Sequence, residues 1–105
     1  MEKHNILKAL PQDLIEEAFE PLVEQGELLI ERIISKAHIT PLGEWYDQHR
    51  SEWVMVMQGA ARLEFIDGAV IELSAGEYLN IPAHVKHRVA WTCEEVETIW
   101  LAVHY

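Results

Sequence analysis

The residues most capable of chemistry sit at two places far apart in the sequence. Trp45-Tyr46-Asp47-Gln48-His49-Arg50-Ser51-Glu52 is dense in functional groups, and His84 and His87 lie within Ile81-Pro82-Ala83-His84-Val85-Lys86-His87-Arg88-Val89. Glu52 opens an otherwise apolar run, Trp53-Val54-Met55-Val56-Met57. A carboxylate half-buried there requires a cation, a donor or a proton, unless it merely points to solvent at a strand edge. His87 likewise begins a strand, with Val89 and Trp91 on its own face. An imidazole in front of apolar groups suits a metal ion, a general base or a structural hydrogen bond. In extended geometry Tyr46 and Gln48 share parity with Glu52, whereas Asp47 and His49 face away. Oxygen from Gln48 and Glu52 with nitrogen from His87 would make a mixed site, with iron, manganese, zinc or nickel preferred over copper. Asp47 is the stronger ligand chemically, and a one-residue bulge would bring it round. Tyr46 and His49 are the candidates for moving a proton. His4, His38 and His104 have no partner at ligand spacing and read as structural or exposed.

These groups need strands to position them, and the sequence supplies strands from Glu27 onward. Glu27 to Ser35 is branched and apolar, a long strand. Glu52–Met57, Ala61–Phe65, Ala69–Leu73, Tyr78–Ile81, His87–Trp91 and Thr98–His104 follow, separated by turns at Gln58-Gly59, Asp67-Gly68 and Ser74-Ala75-Gly76-Glu77. With no helix between strands, βαβ topology is excluded, and an antiparallel sandwich or barrel is expected. Residues 1–26 carry the helical signal instead. Pro11 suits a first turn, Leu14, Ile15, Ala18 and Phe19 form one apolar face, and Pro21 stops the run. This segment is expected to pack as a short helix on a barrel formed by residues 27–105. The acids between Lys8 and Arg32 (Asp13, Glu16, Glu17, Glu20, Glu24, Glu27 and Glu31) read as a solvated face.

The 105 residues make one domain, and a formal charge of -10 opposes contact with nucleic acid or anionic lipid. No apolar run reaches the roughly 20 residues of a membrane-spanning helix, and no secretory signal is visible. The single cysteine, Cys93, excludes a disulfide framework and reads as a buried small hydrophobe. A cytoplasmic protein is expected.

Spacing adds a resemblance. Glu52 is followed by Gly59 after six intervening residues, Gly76 by Pro82 after five, and Pro82 by His87 five further on. In this the sequence resembles the cupins, with Tyr46 and Gln48 (or Trp45 and Asp47) where the first motif has its two histidines. His84 stands at the second motif's inner glycine and Trp91 at its asparagine. The resemblance spans Thr40 to Trp100. It implies an all-β fold, an antiparallel double-stranded β-helix or jelly-roll barrel, with a small-molecule ligand in the barrel mouth and commonly a divalent metal. Here the metal would be held by Glu52, His87 and Gln48, with Asp47 in reserve. It also implies a homodimer paired through sheet edges, with Leu28–Ile34 as an apolar edge to protect. Loss of both motif histidines weighs against an oxygenase, because a nonhaem iron centre wants imidazoles beside its carboxylate. Three functions stay open: a metal site with or without catalysis, a metal-free site walled by Trp45, Trp53, Trp91 and Trp100, and a structural protein with a degenerate site.

Overall fold

The computed structural model describes residues 1–105 and contains eight strands and no helix. They are β1 (Ala18–Gln25), β2 (Leu28–Ser35), β3 (Glu52–Gln58), β4 (Ala60–Phe65), β5 (Val70–Ser74), β6 (Tyr78–Ile81), β7 (His87–Thr92) and β8 (Thr98–His104). All pairings are antiparallel. The larger sheet runs β1-β2-β8-β3-β6 and the smaller β5-β4-β7. The seven strands expected from Glu27 onward are all present, with ends shifted by a residue or so. No helix exists that is long and apolar enough to cross a membrane.

Alternation explains how two sheets become one core. On β3, Glu52, Val54 and Val56 are buried while Trp53 and Met55 are only half-buried. On β4, Ala61 and Leu63 point inward, and on β8 Trp100 and Ala102 do so. Together with Ile33, Leu73 and Ile81 they form a single apolar cluster between the sheets. The turn at Gly59 demands glycine. Its φ is +85°, and a Cβ there would lie 2.5 Å from Thr98 Oγ1 and 2.8 Å from Thr98 Cα. That close approach is the physical content of the glycine seven residues after Glu52.

The N-terminal helix expected from the sequence does not form. Ala18 to Gln25 instead pairs with β2 through a two-residue turn that has Gly26, at φ +57°, in its first position. The helical periodicity was short, and pairing with β2 satisfies the backbone of residues 18–25 that a lone two-turn helix would leave half open. Pro21 is tolerated because β1 is an edge strand, and the register shifts between Pro21 and Val23. Residues 18–25 thus belong to the large sheet, not to a helical segment laid on it. β2 is consequently an interior strand between β1 and β8, so Leu28–Ile34 is not the edge that was expected.

Ahead of β1, residues 6–9 are held to the sheet by one side chain. Arg32 donates from Nη1 to the carbonyls of Ile6 (3.0 Å) and Lys8 (2.7 Å) and from Nη2 to that of Ala9 (3.1 Å). Its Nε donates to Glu20 at 2.7 Å. Arg32 is therefore buried with its charge paired, in keeping with the cost of burying it otherwise. Cys93 is half-buried, not fully enclosed.

Candidate functional site

Between the sheets, at one end of the core, lies a cavity of about 60 Å3. Its apolar wall includes Ile33, Val54, Leu63, Ile81, Val89 and Trp100. Its polar groups are Glu17, Glu31, Tyr46, Gln48, Glu52, His87 and His104, with no lysine or arginine among them.

Strand register brings most of these groups together. Glu52 is the first residue of β3 and stands opposite His104 of β8 and Ile81 of β6. Leu29 stands opposite His104, so Glu31, two residues on, shares that face diagonally. Glu31 Oε1 accepts from His104 Nε2 at 2.8 Å, and Gln48 Oε1 lies 3.1 Å from His104 Nδ1. His87 comes from the other sheet. Its Nδ1 donates to the Val85 carbonyl at 2.9 Å, which fixes the ring and turns Nε2 toward Glu52 Oε1, 3.4 Å away. Tyr46 lies alongside, joined to His87 by backbone bonds in both directions, and its ring stacks on the imidazole at 5.6 Å.

Burial and charge act on this group in opposite senses. Burial pulls the His87 pKa down, but the Glu52 carboxylate and the Val85 carbonyl together outweigh it, and the net shift is upward from 6.5. With Nδ1–H given to Val85, a neutral His87 would set its Nε2 lone pair against the carboxylate, so a positive charge on or beside Nε2 is favoured. Tyr46 is shifted upward from 10, chiefly by burial and then by Glu17 and Glu52, so its phenol stays protonated. That agrees with a hydrogen-bond donor rather than a phenolate ligand.

The remaining candidates lie elsewhere. Asp47 faces outward and pairs with exposed His84, Oδ1 to Nδ1 at 2.9 Å. No bulge brings Asp47 inward. His49 is exposed and lies 3.3 Å from Glu27, so it does not reach the cavity. Among the tryptophans, only Trp100 walls the cavity. Trp53 packs on Tyr78 at 5.3 Å, and Trp91 is stacked under Arg62 at 4.7 Å. A register shift in the β4–β7 pairing, between the Trp91 and Val89 positions, turns Trp91 out of the face that His87 and Val89 share. His84, at the motif's glycine position, adopts φ +65°, so the turn keeps a glycine's conformation without the glycine.

Three residues at the cavity were not anticipated: His104, Glu31 and Glu17. The parity of Thr98, Trp100, Ala102 and His104 places His104 inside, and that of Glu31, Ile33 and Ser35 does the same for Glu31. Glu17 precedes β1 and carries no such signal.

A divalent ion is a poor match for these donors. Glu52 and His87 face each other, but Gln48 turns its oxygen to His104, Asp47 is on the outside, and no three histidine, cysteine, aspartate or glutamate side chains converge on one point. A resident first-row ion generally needs three protein ligands. The arrangement does not fit one.

The sequence profile of the family described as Cupin domain matches residues 37–104. The chain belongs to the cupin family. A solved structure from Ralstonia eutropha JMP134, provisionally assigned as a mannose-6-phosphate isomerase, is similar at 43% identity and a TM-score of 0.94, covering 99% of this chain and 97% of that one. An RmlC-like cupin from Desulfovibrio desulfuricans is similar at 19% identity and 0.76, covering 99% and 96%. A cupin superfamily protein from Desulfitobacterium hafniense is similar at 16% and 0.74, covering 90% and 82%. The last two bear on the fold alone. No curated protein matches the sequence.

Proposed function

We propose that this cupin binds a small, uncharged, hydroxyl-bearing molecule, such as a sugar or polyol, at the cavity between the sheets. The observation that carries this is two imidazole–carboxylate pairs, His87–Glu52 and His104–Glu31, opening onto one cavity with an apolar wall. Each pair can both donate to and accept from a hydroxyl, and the apolar wall suits the C–H face of a sugar ring. A cavity of about 60 Å3 admits only a few non-hydrogen atoms, so a larger molecule enters by one edge. His87, poised by Glu52 and titrating above its ordinary value, is the group we assign to proton transfer on the bound molecule.

The relative from Ralstonia is assigned to a phosphorylated sugar. A sugar suits this cavity too, but a phosphate does not, since three glutamates and no lysine or arginine line it. Titration calorimetry and thermal shift with D-mannose, mannose 6-phosphate and divalent metal salts test the proposal. D-Mannose is expected to raise Tm, and His87→Ala to abolish the rise. Equal or tighter binding of mannose 6-phosphate overturns the proposal. One equivalent of metal in protein purified without a tag, lost in Glu52→Gln and His87→Ala alike, overturns it in favour of a metal centre. Exchange of a sugar C–H for solvent deuterium, read by proton NMR, tests the proton-transfer role of His87.

A second copy of the chain is the partner we propose, seated along β1, where Phe19, Leu22 and Val23 are exposed on an edge strand. Light scattering at micromolar concentration is expected to give twice 12.1 kDa; the single mass would sink the dimer. The lone thiol, with no disulfide partner in the chain, supports a cytoplasmic location.

A further inference from the structure

Glu17 belongs to the acidic stretch that reads as solvated in sequence, yet it is half-buried and lines the cavity. It also lines a second, larger cavity of about 460 Å3 between the N-terminal segment and the chain from His38 to Tyr46. Tyr46 is the other residue common to both, so these two side chains stand at the junction.

Glu17 is held there by a directed chain of hydrogen bonds. Trp100 donates from Nε1 to Ser35 Oγ at 3.2 Å. Ser35, with an oxygen already accepting, turns its hydroxyl proton to Glu17 Oε2. The direction matters. Oε2 is an acceptor, and Oε1 has no hydrogen-bond partner within the chain, on a side chain that lines both cavities. The backbone before Glu17 is pinned as well, because His38 Nδ1 accepts from the Lys36 amide at 2.8 Å and its Nε2 donates to the Ile15 carbonyl at 3.1 Å. With Arg32 gripping residues 6 to 9, the segment that carries Glu17 is tied down on both sides.

We propose that Glu17 is a ligand-contacting residue whose carboxyl group meets a ligand hydroxyl at the junction of the two cavities, so that the bound molecule spans both. Room supports this: the inner cavity takes only the edge of a sugar, and the outer one has space for the remainder. Chemistry supports it too: one carboxyl oxygen is taken by Ser35 and the other has no hydrogen-bond partner within the chain, which leaves it free for a ligand hydroxyl. Burial, the largest influence on Glu17, raises its pKa from 4.5 against the opposing pull of Ser35.

The proposal rests on the ligand-binding reading above, and D-mannose is the probe for both. The amide of glutamine keeps the size and shape of the carboxyl and can still hydrogen-bond both Ser35 and a ligand hydroxyl. Glu17→Gln is therefore expected to bind D-mannose within about threefold of wild type, and Glu17→Ala to weaken it by about tenfold or more. Ser35→Ala, which loosens the acid without removing it, is expected to fall between them. Near-UV circular dichroism checks that each variant keeps the packing of Trp100. If Glu17→Ala binds as wild type while His87→Ala does not bind, the proposal fails and the ligand-binding reading stands. A wild-type chain that takes up no D-mannose overturns both.

Discussion

The two imidazole–carboxylate pairs are chemically alike and structurally different. His104–Glu31 joins neighbouring strands of one sheet, at 2.8 Å, with both side chains placed by the β2–β8 ladder. His87–Glu52 spans the gap between sheets, at 3.4 Å, and depends on how β7 packs over β3. A pair within a sheet inherits its geometry from backbone hydrogen bonds. A pair between sheets inherits it from side-chain packing, which is softer and more easily altered. The looser pair holds His87, whose pKa is raised, so packing between the sheets bears on its titration.

The largest effect that separates them should come from the packing between the sheets. Leu63 is 2% exposed, belongs to β4 beside β7, and lines the cavity. Leu63→Ala is expected to cost about 2–5 kcal/mol in urea unfolding. It should also return His87 toward its ordinary pKa, measured by NMR titration of the imidazole, while leaving the His104 ring contacts intact. Loss of both pairs together would show that they are one unit.

Next in size is the pair inside the sheet. Glu31→Ala leaves a buried His104 donor without its acceptor and is expected to cost about 1–3 kcal/mol. His87 should titrate as before in that variant, and a His87 shift as large as in Leu63→Ala would break the comparison.

The pH dependence comes third. His87 has a folded pKa above 6.5, so the stability it contributes is fully present below 6.5 and is lost as pH rises through the folded value. Glu17 behaves in the same sense lower down: its folded pKa is above 4.5, so stability falls as pH rises from 4.5 through its folded value. Thermal denaturation across pH should show both declines. Glu52→Gln is expected to remove the upper one and Glu17→Gln the lower; a profile unchanged by either substitution counts against the assignment.

The smallest effect lies outside the site. His84→Gly relieves a left-handed backbone but frees the unfolded chain and drops the exposed contact with Asp47, so a net change under about 1 kcal/mol is expected. A loss above about 2 kcal/mol would mean that the Asp47 contact holds the turn, and with it the entry to β7.

Strand by strand, the fold was legible because alternation and turn residues are local signals. Val54 and Val56 against Trp53 and Met55 declare the two faces of β3, and Gly59, Asp67-Gly68 and Gly76 mark where strands reverse. β1 was not legible. Its apolar spacing is compatible with a helical turn as well as an edge strand, and Pro21 is barred from a helix interior but tolerated in an edge strand. Pairing with β2 decided the matter. Glu52 and His87 were legible as candidates because each begins a strand that is otherwise apolar. His104 was passed over because it ends one, although its parity with Trp100 and Ala102 turns it inward; the register with Leu29 and Glu52 brings it to the cavity.

What the chain order alone determined, then, is the alternation of faces, the reversals and the family, since each depends on residues a few positions apart. Which carboxylate meets which imidazole was settled by tertiary structure. Glu17 sits beside Ser35, Glu31 beside His104 and Glu52 beside His87 through strand register and sheet packing, which sum over the whole core and leave no mark within any single segment.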